Sequence, residues 1–297
     1  MKVILKGSDV TGIITRVSVE QNISAAGKSA AVTALYPPKD YYLPKINPAC
    51  GDTVSIVHEG VTLFDGYIER LSFSSDSLCI TMLCFDRSSL LAKNEVYHAF
   101  YGTPAAIAAK ACSLVGLECG TLWHKSGSLY LPPSSGCTAF SVIRRAYGQQ
   151  CVVETQNGKV TVFAPGQDSF TLRSAVLLQA EARHSTEDMI NRAVILGYKN
   201  RVQAEAENRA DITSYGLRQH CYTLTGAKAG ASSQAADHLQ RLQQQASVTL
   251  LGDTAARCGA RVTMDSPAYG VSGEYLVTAV THQVSGGLFT TTLGMVK

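Results

Sequence analysis

The densest group of side chains able to bind a metal lies at residues 181–188, where Glu181, His184, Glu187 and Asp188 occur close together. In a helix, Glu181, His184 and Asp188 would share one face, and carboxylate and imidazole groups are common metal ligands. The alternative is a solvated linker, because every one of these side chains is polar. We favour the linker, and we expect no metal site, no cofactor and no cofactor-binding residue in this chain.

A catalytic nucleophile is not indicated either. Cys112 and Cys151 would each need a histidine partner, and the sequence places none beside them. His58, His220 and His282 lie in or beside predicted strands, where a hydrogen-bonded structural role is usual. The patterns of a nucleophile elbow, a P-loop and a dinucleotide-binding turn do not occur. We therefore predict no catalytic residue and expect that the chain is not an enzyme.

The nine cysteines favour free thiols over disulfides or zinc. Their number is odd, they are scattered, and most fall inside apolar segments, where a thiol behaves as a small hydrophobic group. No C-x-x-C pair is present, so a structural zinc site has no support. We expect no disulfide.

Two similar stretches, one near each end of the chain, organise the predicted fold. Residues 51–85 and 259–293 align without a gap at an offset of 208 (259 − 51), which places Gly51 on Gly259, Val54 on Val262 and Tyr67 on Tyr275. Each stretch alternates apolar and polar residues and contains turn-forming clusters, a pattern typical of a three-stranded β-meander. Chance similarity of two meanders is the alternative. We favour a duplicated β-domain, with the remaining repeat positions at Gly66 and Gly273.

The residues between the two meanders predict a small α+β insert. Thr103-Pro104 is a helix start and Gly116 a helix end, and Thr138 and Gly148 bracket a second predicted helix. Asn157-Gly158, between two β-branched runs, predicts a hairpin. We place the domain boundaries at 1–98, 99–170 and 171–297, so the fold class is mainly β with an α+β middle domain.

Three further segments are predicted in less detail. Residues 36–50 carry four prolines and three tyrosines and indicate a surface loop or sheet edge. Residues 200–216 are polar and predict a mobile loop. A helix is predicted from Ser232 or Ser233 to about Leu250, because residues 235, 239, 242 and 246 form an apolar stripe.

The composition excludes several classes of protein. Charged residues are 16% of the chain and the net charge is +3, which is too mild to predict a nucleic-acid partner. The N-terminus lacks the apolar core of a signal peptide, and no stretch approaches the roughly 20 apolar residues of a membrane-spanning helix. We expect a folded protein made in the bacterial cytoplasm, without direct membrane insertion.

The order of meander, insert and second meander resembles the baseplate hub proteins of contractile phage tails and related injection particles, the XkdQ-like and late-control-protein group. The similarity extends over nearly the whole chain and depends on the order and spacing of short motifs. These motifs are G-D-x-V at 51–54, L-F-x-G-x-I at 63–68, G-T-P-x-x-I at 102–107, N-x-A-V-x-L-G at 191–197, Y-G-L at 215–217, and G-x-Y-x-V at 273–277 with His282.

The resemblance implies two tube-like β-barrel domains that flank the middle domain. It also implies a homotrimeric ring that adapts a six-fold tail tube to a three-fold central spike, with the tube, the spike and other baseplate proteins as partners. The location would then be the baseplate of a virion or a bacteriocin-like particle. Longer members carry a lysozyme-like or peptidase domain that these 297 residues lack, so we expect wall cleavage to belong to another chain.

Two other functions remain open at this point. A cell-wall-associated hydrolase would require a convergent polar site, and a carbohydrate-binding β-module of a phage tail would require exposed aromatic residues, for which Trp123 and the tyrosines at 36–42 are the candidates. If the two meanders are duplicated tube modules, we expect Tyr67 and Tyr275 to be equally buried, so that replacing either with alanine costs on the order of 3 kcal/mol.

Overall fold

Strands dominate the computed structural model of the chain, which confirms the mainly β class. The structure describes residues 1–37, 42, 44–149, 151–172, 177–224 and 230–297. Within these residues, twelve strands form one continuous sheet, and three small sheets lie outside it.

The first β-module has its core between strands whose alternate side chains point inward. In the fourth strand, for example, Val32 and Ala34 are fully buried while their neighbours are half-exposed. Its strands are β1 (Lys2–Leu5), β2 (Ser8–Asp9), β3 (Ile14–Asn22), β4 (Lys28–Leu35), β5 (Thr53–His58), β6 (Val61–Ser74) and β7 (Cys79–Phe85).

The middle domain confirms the predicted helix ends and the hairpin. Thr103 Oγ1 accepts a hydrogen bond from the Ala106 N–H at 3.3 Å, and Thr138 Oγ1 accepts one from Ser141 at 3.2 Å. Asn157 and Gly158 form a two-residue turn, both with positive φ. The elements are α1 (Leu90–Lys93), β8 (Phe100–Gly102), α2 (Pro104–Leu114), β9 (Cys119–Leu122), β10 (Leu129–Leu131), α3 (Ala139–Ala146), β11 (Val152–Gln156) and β12 (Lys159–Phe163).

The second β-module is interrupted by a small domain of its own, which the sequence did not reveal. The chain continues with β13 (Leu177–Ser185), β14 (Arg192–Leu196), β15 (Val202–Glu207), α4 (Arg209–Tyr215), β16 (Gln219–Thr223), α5 (Ala231–Asp237), β17 (Gln243–Leu251), β18 (Arg261–Ser266), β19 (Val271–Ser285) and β20 (Leu288–Val296). Strands β14–β16 form a separate sheet, on which α5 packs through Ala231 and Ala235.

The predicted helix from Ser232 or Ser233 to about Leu250 is wrong beyond its first two turns. Helix α5 ends at Asp237, and residues 243–251 are a strand that pairs with β13 and β20. Ala246, Val248 and Leu250 alternate inward at period two, and these β-branched and apolar side chains are buried in the sheet. Tertiary pairing thus outweighed the helical stripe.

The mobile loop predicted at residues 200–216 is also wrong. Strand β15 pairs with β14 over five residue pairs, and Asn208 caps α4 by accepting a hydrogen bond from the Asp211 N–H. The stretch is polar because it forms the edge of a small sheet, where alternate side chains face water.

The two β-modules share one strand order. In the first module the neighbours run β5-β6-β7-β4-β3, and in the second β18-β19-β20-β17-β13. Both have a β-bulge between the second and third of these strands, at Ile68/Arg70 and at Val277/Ala279. Both have another between the last two, at 14/16 and at 177/179. The matching bulges support the duplication, because a bulge changes the twist at a fixed place in a sheet.

A matched pair of threonines gives side-chain support for the same equivalence. Thr33 and Thr81 face each other across β4 and β7 with Oγ1 atoms 3.3 Å apart, and Thr249 and Thr292 do so across β17 and β20 at 2.9 Å. Cross-strand threonine contacts of this kind stabilise a sheet.

The gapless alignment of the two meanders holds only for their first strand. Gly51 and Gly259 both have positive φ, and each donates its N–H to the equivalent carbonyl, that of Ile68 or of Val277, at 2.8 Å. Val54 pairs with Gly66, whereas Val262 pairs with Tyr275. The second strands are therefore displaced by one residue.

The displacement has a structural cause in the first hairpin. The turn between the first two strands contains two residues in the first module and four in the second. The second module therefore has two more turn residues, but an irregularity in the β5–β6 ladder gives the first module one extra residue. The net displacement is one residue. In the resulting register, Gly66 occupies the position of Tyr275. Gly273 lies on β19 opposite Met264.

The expected match between Tyr67 and Tyr275 is therefore wrong, although Val54 and Val262 are both buried as expected. Tyr275 is 3% exposed within the second core. Tyr67 is half-buried, and its hydroxyl lies 3.1 Å from Ser89 Oγ.

Replacing the two tyrosines separately should give unequal losses of stability. We expect Tyr275→Ala to lower the free energy of unfolding by about 3 kcal/mol, because it opens a cavity in a closed core. Tyr67→Ala should cost about 1 kcal/mol, because it removes a half-exposed ring and one hydrogen bond. Urea unfolding of both variants measures the difference, and equal losses would contradict the register described above.

Candidate functional site: the junction of the two modules

The two modules are joined edge to edge by strands β3 and β19. Seven residue pairs, from Asn22–Ala279 to Arg16–Ser285, run antiparallel, and Ile23 extends the contact by donating its N–H to the Thr278 carbonyl at 2.8 Å. This ladder makes one sheet of two modules whose residues are more than 250 positions apart in sequence. We treat the junction as the candidate site because it fixes how the repeated units are arranged.

His282 is the titratable side chain at the centre of the junction. It lies opposite Val19, is 6% exposed, and has Nδ1 3.0 Å from Thr291 Oγ1, which also accepts a hydrogen bond from the Asp253 N–H at 2.9 Å. Burial lowers the pKa of His282 to about 4. The imidazole is therefore neutral at physiological pH and packs as part of the core, which agrees with the structural role predicted for this residue.

A buried polar network connects the junction to the middle domain. Glu154 on β11 accepts a hydrogen bond from Gln21 Nε2 of β3 at 2.7 Å, and its carboxylate lies 3.8 Å from Lys28 Nζ of β4. Gln156 Nε2 donates to the other Glu154 oxygen at 2.5 Å. Both oxygens of the buried Glu154 carboxylate are thus hydrogen-bonded, as burial requires, and they connect the middle domain to the joined sheet.

The start of β4 is held by a second buried carboxylate, that of Asp86. The Lys28 N–H donates to Asp86 Oδ2 at 2.9 Å, and Ser88 Oγ donates to Asp86 Oδ1 at 2.6 Å. Burial raises the pKa of Asp86, while these hydrogen bonds oppose the rise. Gly27 is required here, because a Cβ at this position would lie 2.1 Å from the Asp86 carboxylate.

A cleft of about 330 Å³ opens at the junction between the two modules and the middle domain. Its lining includes residues of both modules and of the middle domain, among them Val19, Gln21, Lys28, Glu154 and His282. Among the described residues that line it, the histidine is neutral and the one carboxylate, that of Glu154, is already hydrogen-bonded by Gln21 and Gln156.

The residues considered for metal binding do not converge. Glu181 and His184 lie on β13, where an odd and an even position point to opposite faces of the sheet. Glu187 pairs with Arg183 at 3.4 Å, and Asp188 accepts a hydrogen bond from Gln243. A shared face for Glu181, His184 and Asp188 would have required a helix, but residues 177–185 are a strand paired with β17. The solvated linker that we favoured is wrong for the same reason. Among the described residues, no group of three or more histidine, cysteine or acidic side chains is placed to hold a metal ion.

The two cysteines considered as nucleophiles are buried among apolar side chains of the middle domain. Burial raises the pKa of the Cys151 thiol to about 11. A hydrogen bond with Cys119, together with burial, raises the pKa of Cys112 above its usual range. Both thiols are therefore protonated at neutral pH, the opposite of what a cysteine nucleophile needs.

The aromatic residues considered for carbohydrate binding are divided between core and surface. Trp123 stacks on Tyr147 with ring centroids 5.3 Å apart and packs against the middle-domain core. Tyr42 is 98% exposed, and the Tyr41 ring lies outside the described residues. Tyr101 and Tyr130 are directly opposite each other on β8 and β10, and both are exposed. The sequence did not indicate this pair, because the two residues are 29 positions apart (130 − 101).

Among the described helices, none combines the length and apolar character needed to cross a membrane.

Comparison with solved structures shows which class of protein has this fold. The 43 kDa tail protein of prophage MuSo2 from Shewanella oneidensis is similar over 100% of this chain and 96% of its own, with a TM-score of 0.78 and 16% identity. A tail protein from Neisseria meningitidis MC58 gives a TM-score of 0.71 at 13% identity, covering 100% and 95% of the two chains. The fold is thus that of phage tail proteins.

A third similar structure comes from a secretion system. The E. coli c3393 protein, a component of the type VI secretion system with structural similarity to the T4 bacteriophage tail proteins gp27 and gp5, has a TM-score of 0.60 and 11% identity. The similarity covers 99% of this chain and 76% of that one. A comparison with curated protein sequences gave no match. The chain belongs to the YQBQ-like family, whose model matches residues 17–296.

The low pKa of His282 predicts an acid-sensitive junction. The folded protein holds the group at a pKa of about 4, against 6.5 for the ordinary residue, so the unfolded chain binds more protons between these values. The stability linked to His282 is therefore present above pH 6.5 and is lost as pH falls towards 4. We expect wild-type protein to lose about 3 kcal/mol more than a His282→Asn variant between pH 7 and pH 4.

Denaturant unfolding across this pH range measures the loss, and His184→Asn is the matched control. His184 is exposed on β13, so its replacement removes a histidine that does not belong to the junction between β3 and β19. A His282→Asn profile parallel to that of wild type would show that the junction does not hold the imidazole in its neutral form.

Proposed function

We propose that this chain is a structural hub protein of a phage tail or a related contractile injection particle. The observation that carries the proposal is the repeated module: two units with one strand order, bulges at equivalent places and equivalent threonine pairs are joined side by side in one sheet. The fold shared with tail proteins from two bacteria and with a secretion-system component supports the same role.

The proposed mechanism is an adaptation of symmetry. Three chains, each with two similar modules, would present six similar units to a six-fold tail tube while keeping three-fold symmetry for a central spike. Closed cyclic symmetry is the usual arrangement for identical subunits. Internal duplication therefore resolves the mismatch without a second type of subunit. The partners would be two other copies of this chain, the tube, the spike and further baseplate proteins, and the location would be the baseplate after assembly in the cytoplasm.

The middle domain would hold the two modules at a fixed angle. It contacts the first module through Glu154 and the second through the segment after β12, where Gly166 donates its N–H to the Gly259 carbonyl at 2.7 Å and Arg261 donates to Asp168 at 2.8 Å. Contacts on both sides limit hinge motion between the modules. A rigid double module is what a ring with regular spacing requires.

We also propose that the chain is not catalytic. The raised thiol pKa values of Cys112 and Cys151 and the neutral, fully packed His282 support this. A wall-degrading activity would then reside in another protein of the particle, and this chain would contribute assembly alone.

The first prediction from this proposal concerns the oligomeric state. We expect native mass spectrometry to detect a homotrimer of the purified chain, either alone or together with the spike of its own particle. Monomers or dimers as the largest species in both preparations would contradict the hub.

The second prediction concerns cell-wall cleavage. Purified protein incubated with peptidoglycan should release no soluble muropeptides, whereas lysozyme in a parallel reaction should release them. Reproducible release that disappears on changing Cys112, Cys151, His184 or Glu187 would replace the structural role with an enzymatic one.

A further inference from the structure

Each module uses one strand edge to pair with the other module, and the equivalent edge on its other side has no partner strand among the described residues of the chain. Strand β3 of the first module pairs with β19 of the second. By the strand order and bulges described above, β13 is the equivalent of β3, and β6 is the equivalent of β19. Within the described residues, β13 pairs only with β17, and the part of β6 beyond Ile68 pairs only with β7. Two matching strand edges are therefore open.

We propose that these two edges pair with each other between neighbouring copies of this chain. The β13 edge of one copy would lie antiparallel to residues 70–76 of another, reproducing the contact between β3 and β19. The proposal rests on the hub function above and specifies the surface through which the ring closes. It commits to a second copy of the chain because the same contact already exists between the same two kinds of strand within each copy.

The side chains at the two junctions differ in burial as this proposal requires. Within the chain, His282 is 6% exposed because Val19 and the first module cover it. Its equivalent Phe73 is 62% exposed. Likewise Val19 is 2% exposed, whereas its equivalent Ala182 is half-buried. The positions that are buried at the internal junction are therefore exposed or half-buried on the two unpaired edges.

The sizes of the facing residues are complementary. At the internal junction a valine, Val19, lies opposite His282. In the proposed contact the smaller Ala182 would lie opposite the larger ring of Phe73. Beside Ala182, a Cβ at Gly270 would be 3.5 Å from the alanine Cβ, so the two residues next to each other on this side are both small.

The transferred register is compatible in charge. The equivalence places Ser185, His184, Arg183, Ala182, Glu181, Ala180 and Gln179 opposite Arg70, Leu71, Ser72, Phe73, Ser74, Ser75 and Asp76, respectively. None of these seven pairs brings two like charges face to face. Unprotected strand edges of this length otherwise promote aggregation, and pairing with a partner strand satisfies their backbone groups.

The contact joins different edges of two identical copies, so it is heterologous. Repetition of such a contact yields either a closed ring or an open filament, depending on the rotation between copies. If the rotation equals that of the internal junction, all six junctions of a three-chain ring are alike. The ring would then be a continuous sheet in which internal and intermolecular junctions alternate.

Disulfide cross-linking tests the register directly. We would replace the exposed thiols with Cys50→Ser and Cys221→Ser and introduce Ser72→Cys with Arg183→Cys, which the register places directly opposite. Opposite residues in antiparallel strands lie about 4.5–5.5 Å apart at Cα, within reach of a disulfide. The control pairs Ser72→Cys with Gln179→Cys, displaced by four residues or about 13 Å along the strand.

We expect mild oxidation to give cross-linked dimers and trimers of the Ser72→Cys/Arg183→Cys protein and few of the control, both for the purified chain and in tail particles containing it. Trimers detected by native mass without preferential cross-linking would overturn the edge pairing and leave the hub intact. Preferential cross-links without closed trimers would support the edge pairing and overturn the hub. Monomers in both preparations would overturn both.

A second variant checks the apolar contact without relying on oxidation. Phe73→Ser removes a ring that is largely exposed in one chain, so the monomer should remain folded while self-association weakens at least about tenfold. Val202→Ser, which removes a similarly exposed apolar side chain from the separate sheet of the insert, should leave association unchanged. Equal effects of the two variants, measured by sedimentation, would place the interface elsewhere.

Discussion

The antiparallel pairing of β3 with β19 is the interaction on which the arrangement of this molecule depends. Each module has its own core, and the middle domain has a third. The strand ladder between residues 16–22 and 279–285 joins the two modules directly, in addition to the contacts that each of them makes with the middle domain. Backbone hydrogen bonding fixes the two modules in one register and one relative orientation, and His282 is buried at the centre of the joint.

Duplication and edge pairing together explain why the fold suits assembly. A sheet edge is normally protected, because unpaired backbone groups recruit other strands. Here one module protects an edge of the other, and the same pairing is left incomplete at the outer ends of the molecule. In the proposed ring, the same pairing would protect these edges between copies. His282 and the buried carboxylates of Glu154 and Asp86 belong to this arrangement, since each makes hydrogen bonds at or beside a contact between units.

The sequence predicted the elements whose signals are local. Thr103-Pro104, Thr138 and Asn157-Gly158 each fix a helix start or a turn within a few residues, and all three were confirmed. The prediction was wrong where strands distant in sequence determine the secondary structure. The apolar stripe at residues 235–246 is typical of a helix, but pairing with β13 and β20 makes residues 243–251 a strand. The junction itself could not be predicted, because nothing local in β3 identifies a partner more than 250 residues away. The one-residue displacement of the repeat was hidden by compensating differences in turn length and bulge.

Electron cryomicroscopy of the assembled chain, alone or at the end of a tail tube, would show directly how the modules are arranged. We expect six β-modules at one height around a common axis, alternating between the two kinds and related by rotations of about 60°. Two modules of one chain stacked along the axis, or facing away from each other with their open edges in solvent, would contradict it.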